Sequence, residues 1–280
     1  MIHNSFKMGA ESTGWNVSSF LSSLYYLFND SPARREDFNN VTGSSIMPLK
    51  FVNHRWLENI PVCERAIVIW EKIISYVEAV ETKKVNTPNN KSYAVKECIK
   101  APCFFAELHF FKCIALQLQP FLLTYQTNRP MVCFLSDDLC LLIRSLMRRF
   151  IKPDTLGDLN DENLVRLDVT DKQNHVECKQ VDVEKALKKD GHTHVPSAKQ
   201  MLEFRMECKT FLIHLLKKML LKCPVSYSLV RYLSCFNPCK MVSDKDGCIK
   251  MFKKVLNLFL NVKRIEERKC DVVLQQYIHL

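Results

Sequence analysis

The residues with catalytic or metal-binding potential fall into three loose groups, and none has the spacing its chemistry needs. Cys235-Phe236-Asn237-Pro238-Cys239 holds two thiols separated by three residues, with Cys223 and Cys248 near in sequence and His192-Thr193-His194 further off. Structural zinc sites are usually built from two close pairs at regular separation. Here there is one pair, and no Cys-x-x-Cys occurs. Asp137 and Asp138 are adjacent, so on a helix they diverge by roughly 100° and do not chelate one ion together. Asp158, Asp161 and Glu162 lie in a polar stretch that reads as solvated surface. Cysteines and histidines are plentiful, but no sequence context activates any of them as a nucleophile. The sequence therefore predicts no catalytic residue, no metal, no cofactor and no small-molecule substrate.

Basic residues are better organised. Arg144, Arg148 and Lys152 recur every four residues with Arg149 beside them, so one helix end should present a cationic ridge. Its charges would stand about 6 Å apart along the axis, close to the spacing of neighbouring phosphates on one nucleic-acid strand. Lys217, Lys218 and Lys222 form a second ridge, and Lys250, Lys253, Lys254, Lys263 and Arg264 a third. Positive charge near a helix C-terminus also complements the macrodipole. Amphipathic helices need a solvated face as well, so phosphate contact is one of two explanations for these ridges.

The elements that must carry these groups are helical. From Cys63 the apolar positions Cys63, Ile67, Trp70, Ile74 and Val77 alternate steps of four and three, which predicts one long amphipathic helix reaching about Thr82. Pro61 suits its first turn. The same spacing in Phe104, Leu108, Phe111, Ala115, Leu118 and Leu122 predicts a second long helix, kinked near its end by Pro120. Further helices are expected at about 16–28, from the Ser31-Pro32 cap to Gly43, at 92–100, at 132–151 and from Ser197 to about Lys222. Shorter ones follow at 226–235, from Asp244, and at 266–277. Leu49 to Asn53 reads as extended, and 83–90 as a loop. Residues 153–196 alternate weakly in Leu164–Val169 and Val176–Val183, so a small β-hairpin or a polar loop is expected there.

An ordered set of segments adds a family resemblance. Lys50 to Pro61 is an extended apolar stretch ending in Arg55-Trp56-Leu57 and feeding a helix with Trp70 near its middle. Ahead of it stand His3-Asn4-Ser5-Phe6, Leu24-Tyr25-Tyr26-Leu27-Phe28, Ser31-Pro32 and Arg34-Arg35-Glu36-Asp37. This set resembles the hAT-type (hobo–Activator–Tam3) transposases, particularly the transposon-derived hAT-like proteins of animal genomes. His54 and Glu58 depart from it, standing where the family has Thr or Ser and, commonly, Ser.

The resemblance implies a ribonuclease-H-like core whose three carboxylates hold divalent metal ions. In the family pattern two of those acids precede the segment matched by His3, and the third follows the region where this chain ends. On that basis residues 1–53 correspond to a core fragment and linker, and 54–280 to the helical insertion, without the catalytic set. The resemblance also implies that an aromatic near the start of the insertion stacks on a base. The candidate DNA-binding residues are thus Arg55, Trp56, Arg144, Arg148, Arg149 and Lys152. For Trp56, burial as the anchor of the long helix is the commoner fate.

Composition narrows the class. A chain of 280 residues accommodates one large domain or two small ones. Six glycines argue against a turn-rich all-β fold. Thirteen cysteines without regular spacing fit free thiols in a reducing compartment, nucleus or cytoplasm. No signal peptide or membrane-spanning run is visible, so no membrane partner is expected. A formal net charge of +10 favours acidic partners, nucleic acid first. The expected fold is mainly α, built of long amphipathic helices with at most a small hairpin. The expected function is a catalytically inactive, transposase-derived module that self-associates through its helices or contacts duplex DNA without sequence preference. A helical protein–protein scaffold and a degenerate gene fragment are the alternatives.

Overall fold

A computed structural model describes residues 1–85, 90–157, 159–183 and 196–280. The fold is mainly helical, with fifteen α-helices and no strand among the described residues. In chain order these are α1 (Ile2–Glu11), α2 (Val17–Asn29), α3 (Pro32–Thr42), α4 (Ile60–Val68), α5 (Trp70–Glu81), α6 (Asn90–Lys100), α7 (Phe104–Tyr125) and α8 (Val132–Met147). They are followed by α9 (Pro153–Leu156), α10 (Asp161–Arg166), α11 (Ala198–Leu221), α12 (Ser228–Tyr232), α13 (Pro238–Ser243), α14 (Lys245–Asn261) and α15 (Glu267–Ile278). A 3-10 turn, Trp56–Asn59, leads directly into α4. Two compact units divide the chain: residues 1–120 with 175–218, and 121–174 with 219–280. The boundary at residue 53 that the resemblance implies falls inside the first.

Helix starts follow local capping chemistry. Ser31 Oγ accepts from Arg34 N at 3.3 Å with Pro32 at the first position, and Gly43 closes α3 in the left-handed region at φ 64. Ser197 and Gln200 form a capping box, each side chain accepting from the other's backbone N–H at 3.3 and 2.8 Å. Asn237 caps α13, and Asp244 caps α14 through Gly247 N at 2.9 Å.

The first unit is an aromatic core. Phe6 on α1 meets Phe111 on α7 at 4.8 Å and Phe211 on α11 at 5.5 Å, both edge-on. Gly9 lies so near α11 that a Cβ there would sit 2.9 Å from the Phe211 carbonyl oxygen. Phe20, Trp70 and Phe104 form a second aromatic group, and Phe28, Phe38 and Tyr76 a third. Such pairs add about 0.5–1.5 kcal/mol each beyond simple burial. Glu81 at the end of α5 binds Lys96 and Lys100 of α6 at 2.6 and 2.8 Å. Hydrogen bonds from Lys100 and then Lys96 hold its carboxyl down to about 2.

In the second unit, α8 buries Leu139, Leu142, Ile143 and Leu146 along one face. A separate cluster joins Cys235, Cys248, Phe252, Val255, Leu256 and Tyr277. Phe252 stacks on Tyr277 at 4.1 Å, and the Tyr277 hydroxyl donates to the Cys235 carbonyl at 2.6 Å.

Several expectations need correction. The single helix from Cys63 to Thr82 is two, because α4 ends at Val68 and α5 starts at Trp70. The break turns the inward face, so Ala66, Ile69, Ile73 and Tyr76 are buried while Ile67 and Ile74 stand half-exposed at its edges. Pro120 lies inside α7, five residues before the helix ends at Tyr125. The stretch from Leu164 to Val169 is not a strand; α10 holds Leu164, and only Leu164 and Val169 point inward. The hairpin's second arm, 176–183, is likewise no strand but holds a 3-10 turn at Cys178–Gln180, and the loop expected at 83–90 falls partly on residues outside the described ones.

Candidate nucleic-acid interface

The structure separates the six predicted contact residues. Arg55 is exposed and pairs with Glu58 at 3.1 Å. Trp56 is only 7 % exposed and packs against Phe6, Phe51 and Phe111 at 6.5, 5.6 and 6.1 Å. It anchors the entry to α4, and its buried Nε1 finds no acceptor among the described residues. Nearby, the Leu57 N–H donates to His3 Nδ1 at 3.3 Å, which requires an unprotonated Nδ1. Burial lowers the His3 pKa in the same sense.

The residue that builds this elbow is Asn59, which the sequence does not single out. It is 1 % exposed. Its Oδ1 accepts from Val52 N at 2.7 Å, and its Nδ2 donates to the carbonyls of Val52, Arg55 and Trp56 at 3.0, 3.1 and 3.3 Å. A non-helical stretch has no ladder to satisfy its backbone, and one carboxamide replaces it. The signal was local: an Asn two residues before Pro61 at the mouth of a helix.

At the end of α8 the expected ridge is mostly committed elsewhere. The Arg144 guanidinium donates to the carbonyls of Leu156 at 2.9 Å and Gly157 at 3.5 Å, and also to that of Leu159. It thereby closes the C-terminal end of α9, whose last carbonyls have no helical partner. Lys152 Nζ donates to the Gln173 carbonyl at 2.8 Å. Arg149 is partly buried. Arg148 and Lys152 are exposed, and Arg148 lines a groove of about 320 Å³ with Arg144, Ile151, Pro153, Leu156 and Gly157. A periodicity of four aligned the Cβ atoms, but backbone acceptors across the turn captured two of the heads.

The third basic group has a different fate. Lys250, Lys253, Lys254, Asn257 and Asn261 all lie exposed on α14, with Lys263 and Arg264 in the turn beyond. None of these five cations pairs with a carboxylate among the described residues, whereas Arg268 and Lys269 just beyond them both meet Glu266. Lys254 is steered by the Tyr232 ring, 5.1 Å below its ammonium.

The acids and thiols are dispersed. Asp137 accepts from Lys240 Nζ at 2.6 Å and Asn237 Nδ2 at 3.3 Å, while Asp138 accepts from the Tyr125 hydroxyl at 2.8 Å. The two adjacent carboxylates thus face separate partners. Cys235 is buried and Cys239 exposed. Burial pushes the Cys235 thiol up to about 11, away from nucleophilic use. No group of three His, Cys, Asp or Glu side chains could hold a metal ion among the described residues. Asp158, His192 and His194 lie outside those residues.

One acidic pair escaped the sequence reading. Glu107 on α7 and Glu207 on α11 face each other's charge, and Glu207 accepts from Trp15 Nε1 at 2.6 Å. Burial first, and then the Glu207 charge, push the Glu107 carboxyl up to about 8. Two residues a hundred positions apart carry no joint pattern in a sequence.

No family model, no curated protein and no solved structure matches this chain.

Proposed function

We propose that this chain is a transposase-derived helical module that contacts the backbone of duplex DNA without sequence preference and does not itself carry out strand transfer. The observation that carries the reading is Arg148, exposed at the rim of an open groove beside the fixed charge of Arg144. An oriented guanidinium next to a free one suits phosphate oxygens, which accept charged hydrogen bonds in pairs. The net charge of +10 adds a long-range attraction for any polyanion. On this reading the chain works in the nucleus, and its free thiols are those of a reducing compartment.

Salt dependence tests it. The affinity of the whole chain for a short duplex should fall steeply as salt rises, in proportion to the number of phosphates neutralised. Neither magnesium nor manganese should produce nicked or joined DNA, because two-metal chemistry needs converging acids and no such group meets among the described residues. An affinity that stays flat across the salt series would replace this with apolar docking of a partner helix, and the module would be a protein scaffold.

A further inference from the structure

We infer that the exposed face of α14 is the principal docking surface, and that its occupant is the sugar–phosphate backbone of a nucleic-acid duplex. This rests on the phosphate-contact reading above and assigns it a place in the chain other than the end of α8. Between residues 245 and 264 there are six cations, Lys245, Lys250, Lys253, Lys254, Lys263 and Arg264, against the single acid Asp246. A helical turn is 100° per residue, so Lys250, Lys253, Lys254, Asn257 and Asn261 share one face roughly 100° wide. All five are exposed.

Surface lysines in an ordinary solvated face are interspersed with acids at i+3 or i+4, which relieves their mutual repulsion. Here the i+3 and i+4 positions of Lys250 are Lys253 and Lys254 themselves, and Asn257, a neutral carboxamide that donates hydrogen bonds to oxygen, follows both; Asp246, four residues before Lys250, is the one acid on the face. Lys253 and Lys254 therefore have no acid one turn away in either direction, and their mutual repulsion is relieved when an anion arrives.

The geometry also selects among polyanions. Lys250 and Lys254 are about 6 Å apart along the axis, so adjacent side chains reach successive phosphates of one strand. An anionic bilayer is disfavoured, because a helix that lies in a membrane surface must offer its apolar face to the lipid. The apolar face of α14 is occupied: Cys248, Phe252, Val255 and Leu256 are all buried in the cluster with Tyr277. A single strand is disfavoured as well, because unpaired bases need exposed aromatic platforms. The face of α14 contributes none, and the neighbouring Tyr232 ring lies beneath the Lys254 ammonium.

The test uses the full chain and three variants: K250Q/K253Q/K254Q, K250R/K253R/K254R and R148Q. Binding of a fluorescent random-sequence duplex is measured by anisotropy across a salt series, with circular dichroism as a check on helix content. The glutamine triple variant should lose about two to three units from the slope of log affinity against log salt, at a little under one unit per contact. The arginine triple variant should keep the wild-type slope. A wild-type slope in the glutamine variant, with loss only in R148Q, would overturn the α14 assignment and leave the phosphate reading intact. Wild-type chain that fails to bind duplex at low salt would overturn both. Binding to phosphatidylserine vesicles that depends on the three lysines, with none to duplex, would also overturn the assignment.

Discussion

Asn59 pairs with both backbone groups of Val52, its Oδ1 taking the N–H at 2.7 Å and its Nδ2 giving to the carbonyl at 3.0 Å. That two-point contact is what a neighbouring β-strand would supply. It holds the extended run before α4 in place, so Trp56 drops into the aromatic core instead of projecting outward. Asn59→Ala would leave one buried donor and several carbonyls without partners, each worth about 1–3 kcal/mol where water is excluded. Urea denaturation should show a loss of about 2–4 kcal/mol. Asn59→Asp keeps the acceptor but removes the donors, so it should be no better tolerated.

Trp70 is the aromatic hinge between α2, α5 and α7. It is 5 % exposed and meets Phe20, Phe104 and Phe105 at 5.8, 6.2 and 5.0 Å. Trp70→Ala should cost about 3–5 kcal/mol, the range for emptying a packed aromatic site. An unchanged melting temperature would show that the ring is not packed as described.

Arg144 should behave as a structural residue. Arg144→Gln removes a charged donor from three carbonyls around Leu156 to Leu159. A charge-assisted bond contributes about 1.5–3 kcal/mol, so thermal unfolding should begin earlier. The salt slope for duplex binding should change by no more than about one unit. A variant of wild-type stability that loses most of its duplex affinity would reverse these roles.

The Glu107 carboxyl gives stability a particular pH dependence. Its pKa rises from 4.5 in the unfolded chain to about 8 in the folded one. Between those values the folded state binds more protons, so stability falls as pH rises through that window and levels off above it. One such group sets a limit of about 1.4 kcal/mol per pH unit. Glu107→Gln should flatten the decline and be the more stable protein at pH 8. Urea midpoints for both proteins at several pH values would check this. A steeper decline in the variant would mean that other groups govern the window.

Gly9 gives the narrowest steric test. A Cβ would stand 2.9 Å from the Phe211 carbonyl oxygen and 3.0 Å from its ring. Gly9→Ala raises helix propensity by about 1 kcal/mol, yet the clash of α1 with α11 should make the variant less stable than wild type. A gain in melting temperature would show that the two helices can move apart.

Most of the long helices are legible in the amino-acid sequence, because helix formation is written in local terms. The α7 stripe is buried from Phe104 to Leu118, and Ser31, Ser197 and Asp244 cap the helices that follow them. A cap reaches only three residues, and an apolar stripe needs only a period of 3.6. The tertiary structure alone decided which charges remain available. Arg144 and Arg148 are alike in sequence, but the carbonyls of Leu156 to Leu159 stand over one and not the other. The α4–α5 break was equally hidden, since it leaves Cys63, Trp70 and Val77 buried and only shifts Ile67 and Ile74 to the edge. Glu107 and Glu207 meet because α7 packs on α11, and only that packing takes the carboxyl out of water and makes its proton hard to remove.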